Sequence, residues 1–158
     1  MAEDTRTSPA GDGPKTPKPW LNRLNPLVGE WRWEAFVDGQ PIGRGVTEFR
    51  WIEEGAFLVE HSSAETPEFP SGRIIIGGDD ANETYCMLYF DSRGIARIYQ
   101  MSLSDDGVWN LWRETPGFWQ RFTGRFGEVG RAIQGFWEQS EDGRAWEKDF
   151  DLIYAKLG

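Results

Sequence analysis

Between Val108 and Phe126 the chain reads VWNLWRETPGFWQRFTGRF. Trp109 and Leu111 alternate with Asn110 and Trp112, the turn Pro116-Gly117 interrupts, and Phe118, Gln120 and Phe122 then alternate with Trp119 and Arg121. Period two on both sides of a Pro-Gly turn predicts two antiparallel strands, each with one apolar face. The same pattern extends in both directions. Ten strands of about six to ten residues can be drawn, from Glu30–Val37 to Trp146–Tyr154, separated by short turns such as Asp38-Gly39, Asp105-Asp106-Gly107 and Glu141-Asp142-Gly143. Connections this short make consecutive strands neighbours, in up-and-down order. A ten-strand meander left open exposes two long edges, so the expected fold is all-β, a single closed antiparallel barrel wide enough for a ligand-sized cavity.

Upstream the pattern differs. Residues 1–18 hold Pro9, Pro14 and Pro17, and the charges of Glu3, Asp4 and Asp12 cancel those of Arg6, Lys15 and Lys18. With no periodic apolar face this reads as a disordered tail, leaving residues 19–158 as the domain. Pro19 suits the start of a short helix, with Leu21, Leu24 and Leu27 at helical spacing and Pro26 limiting its length.

Leu, Ile, Val and Phe together barely exceed one fifth of the 158 residues, yet nine Trp, ten Phe and four Tyr bring the aromatics to 15%. Rings must therefore supply much of the buried area. A net charge of −9 disfavours a nucleic-acid partner, which requires Lys/Arg stripes, and equally disfavours an anionic membrane surface. No apolar run reaches the length of a spanning helix or forms a signal peptide, so the expected location is the cytoplasm; the expected assembly is a monomer or homodimer. The single cysteine, Cys86, excludes an internal disulfide and is expected to be buried. No nucleotide-binding glycine pattern, nucleophile elbow or multi-histidine metal site is present.

Alternation assigns most strands an inward face: Trp31, Trp33, Ala35 and Val37, then Phe49 and Trp51, Phe57 and Val59, Trp109 and Leu111, Phe118, Phe122 and Phe126, Ile133 and Trp137, and finally Trp146, Phe150, Leu152 and Tyr154. The strands near 84–90 and 96–103 are apolar on both parities, so their register stays open. Polar residues sharing the inward parity are informative, because burial without a partner costs a few kcal/mol. They are His61, Arg113, Gln120 and Lys148, with Tyr85, Tyr89 and Tyr99 as further candidates. The opposite parity carries Arg121, Arg125, Glu138, Glu147, Asp149 and Asp151, expected as a solvated charge ladder on the outer face.

The opening Gly29-Glu30-Trp31 after a short helix resembles the Gly-x-Trp motif of lipocalin-like, or calycin, barrels. The resemblance implies that Trp31 packs at the closed end beneath a basic residue, here Lys156. Together with Phe90-Asp91-Ser92-Arg93-Gly94, Trp112-Arg113-Glu114, Phe118-Trp119-Gln120-Arg121-Phe122, Trp137-Glu138-Gln139-Ser140 and Trp146-Glu147-Lys148-Asp149-Phe150, it is similar to an uncharacterised bacterial family of lipocalin-like proteins, over nearly all of residues 24–156. That resemblance implies a barrel with a small ligand and brings no established activity. Nitrobindin-type barrels share the opening but hold haem through a histidine near the C-terminus. No histidine follows His61 here.

The expected function is binding of a small hydrophobic or aromatic molecule in the lumen, with His61, Tyr99, Arg113, Gln120, Phe122, Trp137 and Phe150 as the binding residues. Arg113 would offer bidentate donors to a carboxylate or enolate, and the rings would supply burial. No cofactor or metal is expected. The alternatives are an isomerase, cyclase or hydrolase using His61 or Glu138 as acid/base, haem held axially by His61, and a lumen filled by its own rings.

Overall fold

The computed structural model describes residues 19–79 and 84–158. The expected tail, and part of the turn following Gly77-Gly78, lie outside these residues. Ten strands form the barrel: β1 Gly29–Val37, β2 Gln40–Ile52, β3 Phe57–Ala64, β4 Gly72–Asp79, β5 Thr84–Asp91, β6 Ala96–Leu103, β7 Val108–Arg113, β8 Trp119–Phe126, β9 Ala132–Ser140 and β10 Glu147–Leu157. Each pairs antiparallel with its neighbours in sequence, and β1 closes the ring against β10, with Trp33 opposite Tyr154. Closure pairs both terminal edges of the meander.

One end of the barrel is sealed. Pro19–Leu27 forms a 3₁₀ helix whose Leu24 and Leu27 are fully buried. Trp31 sits above them, its Nε1 donating to the Leu27 carbonyl at 2.7 Å and its ring facing Lys156 Nζ 5.0 Å away. This is the placement anticipated for the Gly-x-Trp opening. Phe49, Trp109, Phe122 and Ile133 form the next layer, with Phe49–Trp109 and Trp109–Phe122 in edge contact. The Phe122 ring occupies the space over Gly124 and Gly135, which are opposite each other in β8 and β9.

The inward parity expected from alternation is found in most of β1, β2, β7, β8 and β9, but not in β3. Phe57 is exposed and Leu58 and Glu60 are buried, so His61 faces outward. The reason lies in the connection. Residues 53–56 form an even-numbered link that sets Ile52 opposite Phe57, and directly opposite residues point to the same face. Ile52 belongs to the outer parity of β2, and Phe57 goes with it.

β10 also departs from the expected alternation. A β-bulge lets Lys148 face Glu138 while Phe150 faces Trp137, leaving Asp149 as the extra residue. Lys148 consequently lies outside, bonded to Asp151 at 3.0 Å, and Trp146 stacks outside on Arg121 at 3.9 Å. The outer ladder is present where Arg121 donates to both carboxylate oxygens of Glu138, at 2.7 and 3.1 Å.

The two undecided strands direct Tyr85, Met87, Tyr99, Met101 and Leu103 inward. Their other parity contributes to an outer apolar row in which Val59, Ile75, Leu88 and Ile98 stand in register. Cys86 shares that outer face and is exposed rather than buried.

Candidate functional site

Above the sealed end the lumen is open, with a cavity of about 420 Å³. That volume lies within the 300–1,000 Å³ usual for small-molecule sites. Trp109, Tyr154, Met87 and Glu60 line its inner part, Trp33, Tyr99, Trp137 and Phe150 its wall, and Phe69, Phe118, Gln120, Arg93, Arg97, Glu68 and Asp149 its rim. Long strands with every other side chain inward deliver these groups from opposite sides of the barrel to one space. The rings brace one another: Tyr99 and Trp137 stand 5.6 Å apart between centroids, and Phe122 supports Trp137 from below at 5.3 Å.

Glu60 is the unexpected member. It is 5% exposed, opposite Phe49 on β2 and Ile74 on β4. Thr47 Oγ1 donates to its Oε1 at 2.8 Å and is its one hydrogen-bond partner among the described residues. Burial raises its pKa to about 7, with the Thr47 bond opposing the shift. The buried Tyr154 phenol is also pushed well above its ordinary value, by burial first and by the nearby Glu60 charge second. Glu60 escapes an alternation argument because a carboxylate between Val59 and His61 looks like a solvent-facing residue. The length of the β2–β3 connection was the available signal.

At the rim, Gln120 Oε1 accepts from Tyr99 Oη at 2.9 Å and from Arg97 Nη1 at 3.1 Å. Burial raises the Tyr99 pKa, opposed by Arg97 and Arg113. Arg93 is committed to Asp91, 2.7 Å away, which also accepts from the Tyr89 hydroxyl. The Arg93 hydrogen bond holds Asp91 far below the usual carboxylate range. Asp149, brought to the rim by the bulge, has its pKa raised by burial. Two indole nitrogens of lining residues, Trp33 Nε1 and Trp109 Nε1, are buried without a partner among the described residues.

Of the residues expected to bind, Tyr99, Gln120, Trp137 and Phe150 line this cavity together. Phe122 lies just beneath, in contact with Trp109 and Trp137. Arg113 sits opposite Gln120 at the end of β7, half-buried, and does not line the cavity. His61 is on the outer wall, opposite Glu48 and Arg73. The residues therefore do not fit a haem held in the lumen through His61. Glu138 is likewise outside, paired with Arg121.

Among the described residues no helix is long and apolar enough to cross a membrane. No family model matches the chain, and no curated protein does. Solved structures share its architecture. The crystal structure of Rv2717c from M. tuberculosis superposes with a TM-score of 0.59 at 14% identity, over 90% of this chain and all of that one. A de novo designed fluorescence-activating β-barrel superposes at 0.46 with 10% identity, over 86% of this chain and 98% of the design. The fold is thus shared with a protein of known structure over nearly the whole of both chains.

Proposed function

We propose that the protein binds a small, planar, largely aromatic molecule inside the barrel. The observation that carries this reading is the cavity itself: about 420 Å³ walled by rings that do not fill it, with a few polar groups at fixed positions. Nine Trp provide enough volume to close a lumen, yet several are spent on the sealed end and the outer face. The resemblance of Gly29-Glu30-Trp31 to the calycin opening supports the same reading. Tyr99 and Gln120, already bonded to each other, give the ligand a polar contact near the rim.

Native mass spectrometry of the protein purified from its own host tests this. A 1:1 adduct is expected, and it should be absent from a Leu111→Trp protein, in which the added ring occupies the lumen. An adduct retained by that variant would place the ligand elsewhere and overturn the reading.

Acid/base catalysis on the bound molecule is a second reading, favoured by one observation. A carboxyl that titrates near 7 in an apolar cavity suits proton transfer at neutral pH. Glu60 would hold the role first expected of His61 or Glu138. Chemical change of the adduct molecule by the wild-type protein, lost in Glu60→Gln, is the expected result under that reading.

A further inference from the structure

Among the described residues, the inner half of the cavity holds one carboxyl, several rings and no basic side chain. Each element around Glu60 contributes an uncharged neighbour: Thr47 and Phe49 from β2, Leu58 and Ser62 from its own strand, Ile74 from β4, and Tyr154 from β10. The charged groups of the cavity, Arg93, Arg97, Glu68 and Asp149, are at the rim. Arg93 is taken by Asp91, and Arg97 rests on Gln120 with its guanidinium 5.4 Å from the Phe118 ring. Glu60 forms no ion pair among the described residues, and its second carboxylate oxygen accepts no hydrogen bond from them.

A carboxylate without a counter-ion among the described residues, in a cavity lined by aromatic side chains, is able to receive a cation. The carboxylate supplies a charge-assisted hydrogen bond, and the rings attract positive charge through their quadrupoles. The rim carries both signs, Arg97 with Glu68 and Asp149, whereas among the described residues the inner end carries Glu60 alone. A ligand whose positive end reaches that inner end meets one carboxylate and no competing cation.

We propose that the lumen recognises an aromatic ligand through a protonated nitrogen of the amidinium, guanidinium or ammonium class, which donates to Glu60 beside Tyr154 and Trp109. This rests on the reading of the lumen as a binding cavity. It narrows that reading to one charge type and one anchoring residue. Binding of such a ligand requires the ionised carboxylate, so uptake of the cation releases a proton wherever Glu60 was neutral.

Three matched probes test it by isothermal titration calorimetry: 2-naphthamidine, which is cationic, 2-naphthamide, which is neutral, and 2-naphthoate, which is anionic. At pH 8 the amidine is expected to bind 1:1 and at least about tenfold tighter than the amide, with the naphthoate weakest. Between pH 8 and pH 6 its affinity should fall about tenfold, as Glu60 passes from mostly ionised to mostly neutral around pH 7. Glu60→Gln, with its fold checked by circular dichroism, should lose the amidine preference and the pH dependence yet still bind the amide. Glu48→Gln, on the outer wall opposite His61, should keep both, which separates the role of Glu60 from a general loss of negative charge. An amidine preference that is absent, or that survives Glu60→Gln, overturns the proposal while amide binding leaves the cavity reading standing. If none of the three probes binds, both fall together.

Discussion

Thr47 Oγ1 and Glu60 Oε1 stand 2.8 Å apart in the wall between β2 and β3, and the same hydroxyl lies 3.3 Å from the His61 carbonyl oxygen. One hydroxyl therefore serves both protonation states of the buried acid. It donates to the ionised carboxylate. It can also accept from the neutral acid while donating a hydrogen bond to the His61 carbonyl oxygen. Neither state leaves the hydroxyl unpaired, which permits a carboxyl to titrate inside the barrel without disrupting it.

The protein's stability should carry the signature of that titration. Glu60 has its pKa raised from 4.5 in the reference state to about 7 when folded, so between these values the folded protein holds a proton that the unfolded chain has released. The resulting stability is fully present below the lower value and is lost as pH rises through the higher one. The total is about 3 kcal/mol at 1.36 kcal/mol per pKa unit. Glu60→Gln removes this dependence. In urea denaturation the variant should gain on the wild type by about 3 kcal/mol between pH 4 and pH 8; parallel curves would mean that the carboxyl titrates normally.

The floor beneath the cavity depends on two glycines. A Cβ at Gly135 would lie 2.5 Å from the Phe122 ring and 2.9 Å from the Thr123 carbonyl oxygen, and one at Gly124 would lie 2.9 Å from the same ring. Gly135→Val should therefore cost about 2–3 kcal/mol by overpacking, and should displace Trp137 through Phe122. Thermal unfolding and the near-ultraviolet circular dichroism of the tryptophans measure both effects. An unchanged melting temperature would show that Phe122 has room to retreat.

Two arginines near the rim differ in access to the ligand. Arg97 lines the cavity and Arg113 does not, although both charges act on Tyr99. Arg97→Met is expected to weaken 2-naphthoate by about five- to tenfold, as loss of one charge-assisted contact would, with Arg113→Met changing it by less than about twofold. Calorimetric titration of both variants decides between them. The reverse order would place the carboxylate at the end of β7.

Period-two alternation and turn residues were enough to determine ten strands, nearly all their limits, and a meander that closes to pair its edges. They also determined the inward rings of β1, β2 and β7 to β9, because a half-buried strand displays its faces locally. Tertiary structure decided what local pattern does not contain. Register belongs to a pair of strands, so the even link between Ile52 and Phe57 turned β3 over, sending His61 out and Glu60 in. A single bulge in β10 brought Asp149 to the rim and put Lys148 outside. In β5 and β6, apolar on both faces, the ladder chose which tyrosines line the lumen. The alternation that reveals a barrel is indifferent to a one-residue change in connection length. The side chains inside it are not, since each such change exchanges one face of a strand for the other.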